Sequence, residues 1–236
     1  MECLKCGNEK TLLSELIGQK IYGCTSCAEK LKESNDRLEK AKANRVLDSS
    51  RFKSGVSKRL TGVTFNDFKA PCSHSKHALD TCIAYATKVK QKELVGAMAL
   101  IGKCGAGKTM LGVCMIESLG YDAFTSRIKT LSGLTLELKE TWRHGSTVSE
   151  SELIQFYTNQ VDFLFIDEIG MQRNSDTEAI LLFNIIDGRY NNMLPTVLAS
   201  NLPIDQFKES VGERIIDRMR QDGGKVIGFN WESLRK

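Results

Sequence analysis

Short apolar runs alternate with helix-forming stretches along residues 98–230. The runs are rich in Val, Ile, Leu and Phe with few polar interruptions, which is typical of strands that are buried on both faces. Strands of this kind separated by helices predict a parallel sheet that is covered by helices on both sides, an α/β fold. The predicted strands are MALIG (98–102), AFTS (123–126), VDFLFID (161–167), TVLAS (196–200) and KVIGFN (225–230).

A single amphipathic helix is predicted over VGERIIDRMR, residues 211–220. Its apolar residues recur at i, i+4 and i+8 and are expected to form a buried stripe: Val211, Ile215 and Met219. Arg214 and Arg218 lie four residues apart and therefore share another face of the helix.

The N-terminal third of the chain has a different character. Residues 28–48 contain neither Gly nor Pro and favour a helix, and SSRFKSGVSKRLTG (49–62) is predicted to be a flexible joint. Residues 28–60 carry ten Lys or Arg and five Asp or Glu, so they hold more than the whole +4 net charge of the chain. This basic segment suits an anionic partner, and it equally suits a solvated helical linker.

Composition limits the class of protein. The chain has 236 residues, 41% of them hydrophobic, and no apolar run approaches the roughly 20 residues that a membrane span needs. The N-terminal MECLKCGNEK lacks the apolar core of a signal peptide, so we expect the chain in the cytoplasm, where thiols stay reduced. Its eight cysteines are then better read as metal ligands or buried small side chains than as disulfides.

Four cysteines form two C-x-x-C pairs, Cys3/Cys6 and Cys24/Cys27, with 17 residues between the pairs. Two such pairs at this spacing predict a structural zinc site of four thiolates, because each pair presents both sulfurs to one side. Because so short a segment lacks a hydrophobic core, zinc would supply its folding energy. A four-thiolate site has no open ligand position, so we expect this module to bind a partner rather than to catalyse a reaction. A redox pair or accidental spacing is the alternative. PCSHSKH (71–77), with Cys72, His74 and His77, has no matching fourth ligand and is interpreted as a loop.

The run GKCGAGKT fits the phosphate-loop pattern G-x-x-x-x-G-K-[ST] and lies between a predicted strand and a predicted helix. Glycines let successive backbone N–H groups point at an anion, and the helix N-terminus adds positive charge. The expected nucleotide-binding residues are Gly102, Gly105, Ala106, Gly107, Lys108 and Thr109. Lys108 would reach the β- and γ-phosphates and Thr109 would hold Mg²⁺, whereas a plain glycine turn is the alternative.

Polar residues follow two further predicted strands. Asp167 and Glu168 end VDFLFIDE, and Asn201 follows TVLAS. Because ligands of open α/β sheets sit at the carboxyl ends of strands, these residues should face the phosphate loop. We expect Asp167 to bind Mg²⁺, Glu168 to act as general base toward water, and Asn201 to contact the γ-phosphate or that water. A helix cap or turn is the alternative for Asn201.

Taken in order, these motifs resemble the AAA+ ATPases, and more narrowly the DnaC/DnaI group of helicase loaders. The resemblance runs from about Thr61 to Arg235, and its marks are LIGKCGAGKT, FLFIDEIG, DGRY (187–190), LASN, GERIIDRMR and FNWESLR. It implies an ATPase domain (61–236) that has no room for a C-terminal lid. The cysteine pairs and the basic segment add a zinc-binding domain (1–30), which departs from the DnaC pattern and is more similar to DnaI, and a basic helical linker (31–60).

The resemblance also implies roles for three arginines. Arg218 looks like an arginine finger that reaches the γ-phosphate of a neighbouring subunit in a homo-oligomer, with Arg214 as the second candidate. Ion pairs with Glu213 and Asp217 on the same helix are the alternative for both. Arg235 matches the family's sensor-2 arginine, which acts within its own subunit.

The same resemblance implies partners. A loader would bind a DnaB-type hexameric helicase through residues 1–48, use ATP as a switch with weak hydrolysis, and place the helicase on single-stranded DNA. The basic and aromatic residues of 126–145 suit that strand, and an ordinary exposed helix is the alternative: Arg127, Lys129, Lys139, Trp142 and Arg143. An IstB-type transposition helper, which shares the nucleotide-binding core, is the alternative function. A small nucleotide kinase would need a substrate site and a lid, and the sequence offers neither.

Overall fold

The structure is a computed structural model that describes residues 2–16, 19–30, 32–33, 53–170 and 176–235. The chain divides into two compact units, Met1–Ser49 and Ser50–Lys236. Most of the predicted helix over 28–48, and most of the predicted linker over 31–60, lies outside the described residues.

The first unit contains one antiparallel hairpin, in which strand β1 (Thr11–Leu16) pairs with strand β2 (Gln19–Gly23). An isolated bridge between Glu2 and Glu9 precedes the hairpin, and residues 25–30 are helical. The first C-x-x-C pair therefore lies in a turn before the hairpin, and the second lies where β2 leads into helical backbone.

The second unit is built on a five-stranded sheet in which every pairing is parallel. The strands are β3 (Met98–Gly102), β4 (Ser126–Thr130), β5 (Phe163–Asp167), β6 (Thr196–Ser200) and β7 (Lys225–Phe229). Their order across the sheet is β4-β5-β6-β3-β7, so the chain leaves β3 toward one edge and returns past it to the other. The crevice at the carboxyl end of β3 is therefore a topological switch point, where ligands of open α/β sheets bind.

Helices connect the strands and cover both faces of the sheet. They are α1 (Ser73–Lys90), α2 (Lys108–Leu119), α3 (Leu131–Thr141), α4 (Glu150–Gln155), α5 (Asp176–Asn191), α6 (Ile204–Val211) and α7 (Glu213–Arg220). One π-helical turn, Phe156–Gln160, continues α4. Among the described residues, no helix combines the length and the apolar character that crossing a membrane requires.

Alternation along the strands divides the core into two layers. Met98 and Leu100 of β3 pack with α1 and α2 on one face, whereas Ala99 and Ile101 pack with α3, α5, α6 and α7 on the other. All four side chains are buried, as are all five residues of β5 and of β6. The predicted parallel sheet with helices on both faces is thus confirmed.

Three local predictions differ from the structure. The strand predicted at 123–126 begins only at Ser126 and runs to Thr130. Arg127 and Lys129 alternate with the buried Ser126 and Ile128, so the strand is not the continuous apolar run on which the prediction relied. The segment 71–77 is not a loop, since α1 begins at Ser73 with Cys72 as its N-cap.

The third difference concerns the helix predicted over 211–220. It consists of the end of α6 and the whole of α7, separated at Gly212, whose φ of +81° breaks the helical path. Glycine is the residue that adopts such a φ without steric cost. The apolar stripe survives the break, because Val211, Ile215 and Met219 are all buried.

Residues 53–60, placed in the linker from sequence, belong to the second unit. Ser54 is fully buried, and a Cβ at Gly55 would lie 2.4 Å from the carbonyl oxygen of Ile128. Close backbone contact with β4 therefore ties this segment to the sheet.

Candidate functional site

The phosphate loop spans the gap between the end of β3 and the start of α2. Gly107 occupies the N-cap position of α2 with a left-handed φ of +95°, and α2 begins at Lys108. A Cβ on Gly107 would approach the Phe68 ring to 2.6 Å. The glycine is thus required both by backbone conformation and by close packing, and the N–H groups of the first turn of α2 are left to face an anion.

Lys108 folds back into the loop that carries it. Its Nζ donates to the carbonyl oxygens of Gly102 at 2.7 Å and Lys103 at 2.8 Å, and the residue is only 6% exposed. Burial lowers the pKa of Lys108, and the positive charge of Arg235 lowers it further, whereas the negative charge of Asp167 raises it. A buried ammonium held by two neutral carbonyls is an electrostatically incomplete arrangement that a phosphate would complete.

Thr109 and Asp167 meet across the site. The Thr109 hydroxyl donates to Asp167 Oδ2 at 2.6 Å, and the other carboxylate oxygen, Oδ1, accepts the backbone N–H of Glu168 at 2.8 Å. Asp167 ends β5 and is 8% exposed. A hydroxyl and a carboxylate side by side are oxygen donors of the kind that Mg²⁺ takes beside a bound phosphate, so these two residues fit that ion.

The residues after β5 and β6 are tied together. The N–H of Ile169 donates to the Ala199 carbonyl at 3.0 Å, and Ser200 Oγ donates to the Ile169 carbonyl at 2.7 Å. These bonds bring Glu168 and Asn201 to the same edge of the sheet. The helix-cap alternative for Asn201 is wrong, because the N-cap of α6 is Pro203.

Glu168 has a strained backbone. Its φ of +58° lies in the left-handed region, which non-glycine residues seldom occupy, and its side chain is exposed. Such conformations persist where the surrounding structure enforces them, and here the bonds of the preceding and following residues do so.

The segment 229–235, FNWESLR, lies against the phosphate loop and is called the strap below. Three of its contacts are backbone or indole hydrogen bonds, from Lys103 N–H to the Phe229 carbonyl (2.9 Å), from Trp231 Nε1 to the Ala106 carbonyl (3.1 Å) and from Leu234 N–H to the Gly105 carbonyl (2.9 Å). A fourth is the exposed ion pair of Lys103 Nζ with Glu232 at 3.0 Å. In the sequence, FNWESLR served as a mark of the resemblance, but a role was predicted only for Arg235 and not for Trp231, which no motif rule for phosphate loops includes.

Arg218 is held by another helix of its own chain. Its guanidinium pairs with the carboxylate of Asp187 on α5. The guanidinium carbon Cζ also lies 5.5 Å from the ring centroids of both Phe183 and Tyr190. The expected alternative partners, Glu213 and Asp217, are not the ones that it contacts among the described residues. Arg214 lies 5.9 Å from the Phe183 ring and is exposed.

The surface around these arginines is concave. Helices α6 and α7 line an open groove of about 770 Å³ that holds basic and acidic side chains: Lys208, Glu209, Glu213, Arg214, Asp217, Arg218 and Arg220. A groove with charges of both signs suits a polar interface with a further protein chain.

Arg189 was overlooked in the sequence, although it lies within DGRY. It is fully buried and donates to the carbonyl oxygens of Tyr157 and Val161, each at 2.6 Å, and of Pro195 at 2.8 Å. Its Nε donates to Thr196 Oγ1 at 2.8 Å. The side chain thus joins the segments that lead into β5 and β6, the two strands that end at Asp167 and Asn201.

The basic segment 126–145 divides into engaged and exposed residues. Arg127 lies 5.4 Å from the Phe156 ring and Lys129 pairs with Glu137, so both have partners within the chain. Trp142 is 54% exposed, although its Nε1 donates to Glu150 at 2.8 Å, and the neighbouring Arg143 is exposed. Among these residues, the end of α3 is the part that is open to a ligand.

The four N-terminal cysteines converge as the spacing predicts. Their Sγ atoms all lie within 4.8 Å of one another, with 3.8 Å between Cys3 and Cys27, 3.4 Å between Cys6 and Cys24, and 3.3 Å between Cys6 and Cys27. Sulfurs on a tetrahedral zinc are about 3.8 Å apart, given a Zn–S bond of about 2.3 Å, so the cluster fits that ion. Cys72, His74 and His77 take no part in any such group in the described part of the chain.

The thiols differ strongly in acidity. Backbone N–H groups of Lys5 and Cys6 lower the pKa of Cys3 to about 6, whereas neighbouring thiols, Cys6 first, raise the pKa of Cys27 to about 12. The crowding of four thiols that raises the pKa of Cys27 would be relieved by a cation, which stabilises the thiolate form of its ligands.

Comparison with known proteins shows one consistent relationship. The profile of the family described as "IstB-like ATP binding protein" matches residues 32–236. The Replicative helicase loader DnaC of Escherichia coli (strain K12) is 29% identical over 194 residues, which cover 81% of this chain and 78% of that protein. The crystal structure of the DnaC helicase loader aligns with a TM-score of 0.60 and 21% identity over 72% of this chain and 99% of that one. The crystal structure of DnaI aligns with the same TM-score and 19% identity, over 76% of this chain and 94% of that one.

Proposed function

The chain belongs to the IstB-like ATP binding protein family, and from this premise we propose that it is an ATP-dependent helicase loader. In this proposal it binds a DnaB-type replicative helicase and places it on single-stranded DNA during replication initiation. The observation that carries the proposal is the hydrogen bond from Thr109 to Asp167, which joins the phosphate loop to the acidic end of β5. It is supported by the similarity of this chain, over 81% of its length, to a helicase loader. The transposition helper is not supported by that relative.

The nucleotide chemistry follows from the same edge of the sheet. ATP would supply a γ-phosphate whose oxygens replace the carbonyl acceptors of Lys108, and the Thr109–Asp167 pair would hold Mg²⁺. Glu168 would orient and deprotonate the attacking water, with Asn201 beside it at the tied ends of β5 and β6. Arg235 would add positive charge near Lys108, which is consistent with its effect on the pKa of that lysine.

Hydrolysis is proposed to be weak and switch-like because the site is completed by a neighbour in a homo-oligomer. Arg218 is the proposed finger, and Arg214 is the second candidate. For Arg218 to reach another subunit its pair with Asp187 has to open, so the neighbour's γ-phosphate would compete with that carboxylate. The charged groove of α6 and α7 would form part of the contact between subunits.

The N-terminal unit is proposed to bind Zn²⁺ through Cys3, Cys6, Cys24 and Cys27 and to grip the helicase. The convergence of the four sulfurs supports the metal, and the absence of an open ligand position in a four-thiolate set argues for a structural role. Single-stranded DNA is proposed to contact the end of α3, where Trp142 and Arg143 are exposed and Lys139 lies on the same helix.

The proposal is tested with the full chain loaded with zinc. A DnaB-type hexamer immobilised on beads should retain the chain in the presence of ATP and lose it as ATP is hydrolysed. The complex should bind single-stranded DNA more tightly than duplex DNA of the same length. Failure to bind the helicase with zinc and ATP present, or a strong preference for duplex, would overturn the loader function.

A further inference from the structure

We propose that Trp231 is a positioning residue for nucleotide binding, because its indole fixes the orientation of a peptide group in the phosphate loop. This inference rests on the proposed ATP site and adds to it a residue outside the loop, the acidic strand end and the arginines. Trp231 is 8% exposed, and its ring packs on Phe229 with 4.7 Å between ring centroids. The indole N–H therefore has a fixed direction, toward the Ala106 carbonyl at 3.1 Å.

The geometry of the peptide bond turns this contact into a constraint on the anion cradle. In a trans peptide the C=O and the following N–H point in opposite directions. A carbonyl of Ala106 that is bonded to the strap therefore directs the N–H of Gly107 away from the strap. In the same way, the Gly105 carbonyl accepts the N–H of Leu234 at 2.9 Å, so the N–H of Ala106 also points away from the strap. Both N–H groups belong to the run that receives phosphate.

A further close approach between the strap and the phosphate loop keeps the strap in this position. Gly105 has a φ of +76°, which favours glycine, and a Cβ there would also lie 2.2 Å from Ser233 Oγ of the strap. The N–H of Ala106 makes only a long bond of 3.4 Å, to the Lys103 carbonyl, and is thus readily given up to a phosphate oxygen. Donors of the strap thus occupy the carbonyls of Gly105 and Ala106 and order this part of the loop before an anion binds. The entropy cost of ordering the loop on binding is thereby lowered.

The test compares Trp231→Phe, which keeps an aromatic ring and removes the N–H, with Tyr85→Phe as the matched control. Tyr85 also donates from a buried aromatic side chain to a backbone carbonyl, that of Gly96 at 3.0 Å, outside the phosphate loop. The full-length chain is titrated by calorimetry with a non-hydrolysable ATP analogue and Mg²⁺. Trp231→Phe should raise Kd about threefold to tenfold, the upper value applying if the whole free energy of this hydrogen bond serves to order the loop for the anion, whereas Tyr85→Phe should leave Kd unchanged. An unchanged Kd in Trp231→Phe would overturn the proposal.

A spectroscopic measurement separates positioning from a merely structural role. Tryptophan emission of the wild-type chain should change when the analogue binds, and the change should be absent from Trp231→Phe, which retains Trp142, and present in Tyr85→Phe. Hydrogen exchange of the wild-type chain needs no variant: the amide of Leu234 should become more protected with the analogue bound. A strap whose exchange is the same with and without bound analogue would overturn the proposal. A wild-type chain that binds no analogue at all would instead refute the ATP site of the proposed function, and the inference with it.

Discussion

Replacement of Arg189 by Met should destabilise the ATPase domain severely, although Arg189 contacts none of the proposed nucleotide-binding residues. Its guanidinium donates to three carbonyls at 2.6–2.8 Å from within the core. The Pro195 carbonyl keeps the N–H of Leu164 as a donor, so the carbonyls of Tyr157 and Val161 are the two that lose the Arg189 donor. Leaving these two unpaired costs about 1–3 kcal/mol each. Removing the buried charge offsets part of that cost, because burial disfavours the charged form and lowers the pKa of Arg189 to about 9. Together with the lost bond from Arg189 Nε to Thr196 Oγ1, a net loss of about 2–5 kcal/mol follows.

For a domain of this size each kcal/mol lowers Tm by about 2–4 °C, so Arg189→Met should melt roughly 10 °C below wild type. Circular dichroism during thermal unfolding measures the difference. Arg59→Met is the matched control, because Arg59 is exposed in the same unit and should change Tm by no more than about 1 °C. A fall of less than about 3 °C in Arg189→Met would refute the view that this side chain holds the starts of β5 and β6 together.

Further predictions concern the proposed sites. Lys108→Ala should abolish binding of the ATP analogue in calorimetry, and intact ATPase activity would show that the pocket is assigned wrongly. Arg218→Ala should reduce ATP turnover in the presence of helicase and DNA while leaving analogue affinity within about twofold, and mixing it with Lys108→Ala should restore part of the activity if Arg218 acts in trans. Cys24→Ser should reduce bound zinc, measured by elemental analysis, well below the one ion per chain expected of wild type, and a full zinc content would contradict the four-thiolate site. A strong chelator should unfold the N-terminal unit without changing the fold of the larger second unit.

The central sheet was predictable because its strands are locally encoded. Buried parallel strands are continuous apolar runs, so MALIG and TVLAS were located to the residue. The edge strand β4 was misplaced because two of its five side chains, Arg127 and Lys129, are charged. Their partners, Phe156 and Glu137, lie outside the strand. A pattern rule examines neighbours in the sequence and cannot register such partners.

The candidate site was predictable to the same extent. The phosphate loop and the acidic end of β5 are compact motifs whose strand–helix context can be read from a short window, and the structure joins them through Thr109 and Asp167. Trp231 and Arg189 could not be found in this way, because each acts on carbonyls that are remote in sequence. Trp231 and Ala106 are 125 residues apart. A single sequence contains no signal for which carbonyl a distant indole will meet.

The two arginines of α7 illustrate how tertiary partners override local ones. Helical spacing places Asp217 three residues after Arg214, but it places neither Glu213 nor Asp217 beside Arg218, and exposed pairs within one helix contribute little. Arg218 instead takes a carboxylate and two ring faces on α5, where Asp187 and Tyr190 belong to the same DGRY run as Arg189. That run therefore connects two parts of the domain, since its first residue holds the proposed finger and its third fixes the segments that enter β5 and β6. A shift of α5 would therefore disturb Arg218 and the starts of β5 and β6 together, so this one helix contacts both the proposed finger and the two strands that lead to the proposed nucleotide site.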